Sequence, residues 1–120
     1  MPPGVTEGAG TGTIPAMTGG TIADGTYVLT ERLDFSGGTC ACTTHTKLVF
    51  SDGGTKLEGI FRTEPEADKI YAATVSTSGT TMTWNFTCPA TMTLLRQYTA
   101  TATTIRTVDE QMQLETYTLQ

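Results

Sequence analysis

Thr80-Thr81-Met82-Thr83-Trp84-Asn85-Phe86-Thr87-Cys88 alternates without a break. Met82, Trp84, Phe86 and Cys88 fall on one side of an extended chain, while Thr81, Thr83, Asn85 and Thr87 fall on the other. A period of two is the pattern of a β-strand with one buried face. Ser78-Gly79 supplies a turn before it, and Pro89-Ala90 stops it. The same texture continues in both directions. Strands are predicted at about 26–35, 44–51, 56–62 and 69–77 on one side, and at 91–99, 103–108 and 111–119 on the other. Asp52-Gly53-Gly54 is a hairpin turn, because glycine supplies the positive φ that such turns use.

Eight strands in series on short connections make an antiparallel up-and-down meander. Closure into a small barrel removes the exposed edges that invite aggregation. A β-sandwich is the alternative, and it would use crossovers longer than segments 36–43 and 63–68. Composition agrees with an all-β chain. Of 120 residues 28 are Thr, a β-branched residue that suits a pleated, half-solvated surface. This length fits one domain. Residues 24–120 are predicted to form it, and Gly-, Thr- and Pro-rich residues 1–23 a flexible leader or linker, since they carry little apolar surface to offset ordering entropy.

The formal net charge is −5, and the seven basic residues are scattered, which argues against nucleic acid as a partner. No apolar run is long enough to span a bilayer as a helix. No secretory signal follows Met1, so an exported protein would carry its signal upstream of it.

Gly19-Gly20-Thr21-Ile22-Ala23-Asp24-Gly25-Thr26-Tyr27-Val28-Leu29-Thr30 resembles the opening of small secreted lipoproteins from myxobacteria, in which a Gly/Pro/Thr-rich spacer precedes a strand close to "DGTYVLT". Residues 83–101, with Cys88-Pro89 and Tyr98-Thr99-Ala100-Thr101, resemble the same group, as does Glu115-Thr116-Tyr117-Thr118-Leu119-Gln120. The resemblance implies export to the periplasm, cell surface or medium, with a lipid anchor upstream. A second, more distant resemblance is to lipocalins, whose first strand carries Gly-x-Trp where Gly25-Thr26-Tyr27 stands here. It implies a lipocalin-like barrel with room for one small molecule.

Candidate chemistry is sparse. Cys40 or Cys42 bridged to Cys88 would close a loop of about 50 residues and stabilise the fold by roughly 3–4 kcal/mol. Cys40, Cys42, His45 and Cys88 form the rival set, a zinc site, although Cys-x-Cys lacks the usual ligand spacing. Free thiols are the third reading. His45 is the one histidine, and no G-x-S-x-G elbow accompanies it, so catalysis is not expected. The candidate barrel interior is Tyr27, Leu29, Glu31, Phe35, Phe50, Phe61, Trp84, Phe86, Arg96 and Tyr98. Glu31 and Arg96 are the charged members, each in phase with an apolar face, and a buried charge requires a partner. A β-bulge would turn either one outward. The sequence therefore predicts an exported binding module for a small apolar molecule, without cofactor or metal. The alternative is a structural or protein-interaction domain with a filled core. Oligomeric state is left open.

Overall fold

The computed structural model describes residues 2–38 and 40–120; Met1 of the expected leader and Thr39 of the first long loop lie outside them. The described residues contain strands and no helix. Two short strands, β1 (Val5–Thr6) and β2 (Gly8–Ala9), precede eight longer ones. These are β3 (Gly25–Asp34), β4 (Thr43–Ser51), β5 (Lys56–Thr63), β6 (Lys69–Ser78), β7 (Thr81–Cys88), β8 (Met92–Ala100), β9 (Thr104–Val108) and β10 (Gln113–Leu119). Strands β3 to β10 pair antiparallel in chain order, and β10 pairs back onto β3. The meander thus closes into a barrel.

The barrel is filled at one end. Tyr27, Phe50, Met82, Tyr98 and Ile105 are almost wholly buried there, with Tyr27 edge-on to Phe50 at 5.6 Å between ring centroids. Residues 18–24 cross this end. Ile22 is buried, the Tyr27 hydroxyl donates to the Ala23 carbonyl at 2.7 Å, and the Tyr98 hydroxyl donates to the Gly20 carbonyl at 2.7 Å. Gly20 has φ 122°, and a Cβ there would lie 2.7 Å from the Ala100 carbonyl oxygen, so glycine is what lets the segment approach.

The seam between β3 and β4 is closed at this end only. Gly25–Val28 pairs with Lys47–Phe50, and beyond that the two strands separate. The chain's own beginning fills the gap. Val5 and Thr6 pair with Thr44 and Thr43 of β4, while Gly8 and Ala9 pair in parallel with Leu33 and Asp34 of β3. Part of the expected leader is therefore barrel wall, and the folded unit begins at β1 rather than at Asp24. Its low apolar content misled because backbone pairing and one buried carboxylate, Glu7, hold it in place.

Two β-bulges correct the expected facing of side chains. In β3, Leu29 and Glu31 oppose the adjacent residues Tyr117 and Thr116. The extra residue reverses all that follow. Glu31 turns out to solvent, 3.9 Å from Arg106, and Phe35 lies outside against Gly10. Arg32 swings inward in their place. In β7, Phe86 and Cys88 oppose Ala73 and Ala72. Cys88 is therefore exposed with a free thiol, and the bridge to it is not made; Cys40 and Cys42 are disulfide-bonded to each other.

Candidate functional site

The other end of the barrel is hollow. A cavity of about 310 Å³ lies among residues of β4 to β8 on one side and of β10, β3 and the turn at Asp109 and Gln111 on the other. The first wall is apolar. Leu57, Gly59 and Phe61 come from β5, Tyr71 and Ala73 from β6, Trp84 and Phe86 from β7, and Met92 and Leu94 from β8. Period two puts these residues inside, because each is paired across the ladder with another inward residue: Ala73 with Leu57 and Phe86, and Trp84 with Leu94. The rings form a chain of edge contacts, Tyr71 to Phe86 at 5.5 Å and Phe86 to Trp84 at 6.2 Å. Gly59 and Ala73 keep the space open, since each occupies an inward position with little or no side chain.

The opposite wall is charged. Arg96 Nη1 donates to Glu115 Oε1 at 3.0 Å. Arg32 Nη1 reaches Glu115 Oε2 at 3.4 Å, its Nε reaches Glu7 Oε1 at 3.3 Å, and its Nη2 donates to Gln113 Oε1 at 2.6 Å. Gln113 Nε2 and the Cys40 amide donate to Glu7 as well, at 3.2 and 2.9 Å. Two carboxylates and two guanidiniums thus balance within one network, as buried charges require. The Arg96 guanidinium also lies over the Trp84 ring, 5.0 Å from its centroid, and joins the two walls. Tyr117 lines the cavity beside Glu115; burial, and then the Glu115 charge, push its phenol above the ordinary range, so it stays protonated.

Three polar atoms of cavity-lining residues are buried with no hydrogen-bond partner among the described residues: Thr46 Oγ1, Trp84 Nε1 and Arg96 Nε. These atoms expose almost no surface, so they sit unpaired within the barrel wall rather than open to the cavity.

Of the ten interior candidates, Phe61, Trp84, Phe86 and Arg96 line the cavity. Tyr27, Leu29, Phe50 and Tyr98 belong to the filled end. Glu31 and Phe35 are outside. The expected Arg96 is inside and paired, and its partner is Glu115. Glu115 was legible in sequence, being in phase with Tyr117 and Leu119 on the last strand. Arg32 was hidden by the bulge, and Glu7 by its place in a Gly-rich leader.

His45 lies outside the barrel under residues 2–4. Its Nδ1 faces the Pro2 carbonyl oxygen at 2.7 Å, and its Nε2 faces Glu64 Oε1 at 2.7 Å. Cys40, Cys42, His45 and Cys88 are not gathered into a metal-binding group among the described residues. Cys40 and Cys42 instead border a shallow surface depression that shares Arg32 and Gln113 with the cavity. Comparison of the chain with protein-family models, with curated proteins and with solved structures finds no match.

Proposed function

We propose that the protein is a binding module that holds one small, mainly apolar molecule in the open half of its barrel. The observation that carries the reading is the cavity itself. Its 310 Å³ is about twice the roughly 150 Å³ that suffices for benzene in a protein interior, and an apolar enclosure with a few convergent polar groups is the usual form of a small-molecule site. The reading assigns no catalytic step. His45, the side chain best suited to proton transfer, is outside the cavity with both ring nitrogens engaged. Export, with a lipid anchor upstream, belongs to the same proposal. It is supported by the Cys40–Cys42 disulfide, since disulfides persist in oxidising compartments, and by the likeness to secreted lipoproteins.

The test uses 6-acetyl-2-(dimethylamino)naphthalene, an uncharged dye whose emission reports an apolar environment. Trp84 is the sole tryptophan and lines the cavity, so bound dye accepts its excitation energy. The expected result is saturable energy transfer from Trp84, reduced at least about tenfold in affinity by Ala73→Leu, which fills the cavity. Absence of saturable binding, or equal binding to both proteins, would leave a structural or interaction domain as the better reading.

A further inference from the structure

We infer that the molecule held in the barrel is a lipophilic amine, an ammonium group on an apolar body of about ring size; this rests on the reading that the cavity binds a small molecule. The charge of the cavity wall points to it. Arg32, Arg96 and Glu115 line the cavity and share one network with Glu7, in which two guanidiniums meet two carboxylates. Asp109, in the turn between β9 and β10, is the remaining charged residue of the lining. Its Oδ1 accepts the Gln111 and Gln113 amides at 2.9 and 3.0 Å. Among the described residues its Oδ2 has no partner and the side chain makes no ion pair; Arg96, on the neighbouring strand β8, is turned to Glu115 at 3.0 Å. Gln111 and Gln113 line the cavity beside it. The Gln113 amide is bonded to Arg32 and Glu7, and the Gln111 amide, with a donor and an acceptor, favours neither sign of charge. The wall and the network behind it thus carry one surplus negative charge. An ammonium neutralises it, and a carboxylate would add a second to a partly desolvated site.

The mouth has the same sign. The strand connections at the open end, residues 35–42, 64–68, 89–91 and 109–112, hold five carboxylates and no Lys or Arg. Those of 64–68 have cationic or titratable neighbours: Glu64 has His45, Glu66 has Lys69 and Asp68 has Arg62. Asp109 and Glu110 have none among the described residues. The hairpin connections at the closed end, 52–55, 79–80 and 101–103, hold Asp52 alone, and it pairs with Lys56. Charge of one sign around the mouth of an apolar cleft raises the local concentration of the opposite ion and steers it inward. An acidic rim by itself would be an ordinary solvated surface; the place of Asp109 in the cavity lining is what ties it to a ligand. The apolar body of the amine then lies against Phe61, Tyr71 and Phe86, whose rings stand on three adjacent strands, Phe61 to Tyr71 at 6.5 Å and Tyr71 to Phe86 at 5.5 Å.

The experiment is displacement of the naphthalene dye, at about pH 7, by three compounds of similar shape: 2-(aminomethyl)naphthalene, an ammonium at that pH, neutral 2-acetylnaphthalene and anionic 2-naphthoate. At low salt the amine is expected to compete about three- to tenfold better than the ketone, and the naphthoate less well than the ketone. Salt at about 0.5 M should remove most of the amine's advantage. Asp109→Asn keeps an oxygen for the two backbone amides and removes the charge. It should erase most of the advantage and leave the ketone unchanged. Ala73→Leu, which fills the cavity, should weaken amine and ketone alike. Equal affinity for amine and ketone, tightest binding by the naphthoate, an advantage that survives Asp109→Asn, or amine binding untouched by Ala73→Leu would overturn the inference. Failure of the dye to bind the native protein would instead remove the binding reading on which it rests.

Discussion

At the scale of single residues, Arg96 shows how a charge is kept inside a small barrel. Its guanidinium has a carboxylate at one nitrogen and an indole face beneath it, and its side chain is 16% exposed. Arg96→Met keeps much of the packing and removes the charge. Glu115 would then rely on Arg32 alone, so a loss of about 2 kcal/mol in urea unfolding is expected, the range for charge-assisted bonds in a buried pair. Glu115→Gln alone should cost a similar amount. The double variant should cost clearly less than the sum, because each single change strands the other's partner. Strict additivity in that cycle would mean that the two side chains do not act as a pair. The position of Arg96 was legible in its phase with Met92, Leu94 and Tyr98. Glu31 was expected on the same inner face, and a residue count cannot show why that fails: one extra residue in β3 exchanges Glu31 for Arg32 there.

At the scale of elements, the eight long strands were legible almost to their ends, since alternation and Gly or Pro turns mark them and burial enforces them. The bulges were not. Thr, the commonest residue here, suits either face, so nothing in the β3 sequence marks where the phase changes. The same ambiguity placed Cys88 inside and suggested a long-range disulfide. The N-terminal strap was missed for a different reason. Its attachment is by backbone pairing and by Glu7, neither of which leaves a hydrophobic signature. Deleting residues 2–10 should therefore open the seam locally. Amide exchange should speed up in the Leu29–Asp34 part of β3 and around Thr43–Thr46, while amides around Tyr27 and Phe50 stay protected. Uniform loss of protection would make the strap a global rather than a local support. Tyr98→Phe tests the closure of the opposite end. Loss of its bond to the Gly20 carbonyl should cost about 1 kcal/mol, read by denaturant unfolding, and raise exchange in residues 18–24.

The strap is also tied to pH through His45. The Pro2 carbonyl, followed by the Glu64 carboxylate, favours the imidazolium, and burial and the nearby Arg62 oppose it; the net effect raises the pKa above 6.5. A raised folded value means that the stabilisation is complete below the unfolded pKa and is lost as the pH rises through the folded one. An NMR titration of this sole histidine should find its pKa above 6.5, with strap amides exchanging faster above that point than below it, a rise that a His45→Gln control corrected for intrinsic rates should lack. A value at or below 6.5 would contradict the arrangement.

At the scale of the molecule, the barrel divides into a packed half and a hollow half. Large rings fill the end that residues 18–24 cover. Small inward residues, Gly59 and Ala73, and a balanced charge network leave space at the other. Barrel closure accounts for the Thr-rich composition, because every strand has an outward row that must be wet and β-compatible at once. On the outer face Thr30 and Thr118 hydrogen-bond across strands at 2.9 Å, as do Thr93 and Asn85 at 3.0 Å. The central claim is that the hollow half takes a small apolar molecule from within. Its most direct test is a set of intermolecular nuclear Overhauser contacts between bound 2-acetylnaphthalene and the protein's side chains. Contacts to Tyr71, Phe86 and Leu94, inward residues of three adjacent strands, are the predicted result. Contacts confined to the exposed outer residues Ile70 and Leu95 would place binding on the surface and contradict the account.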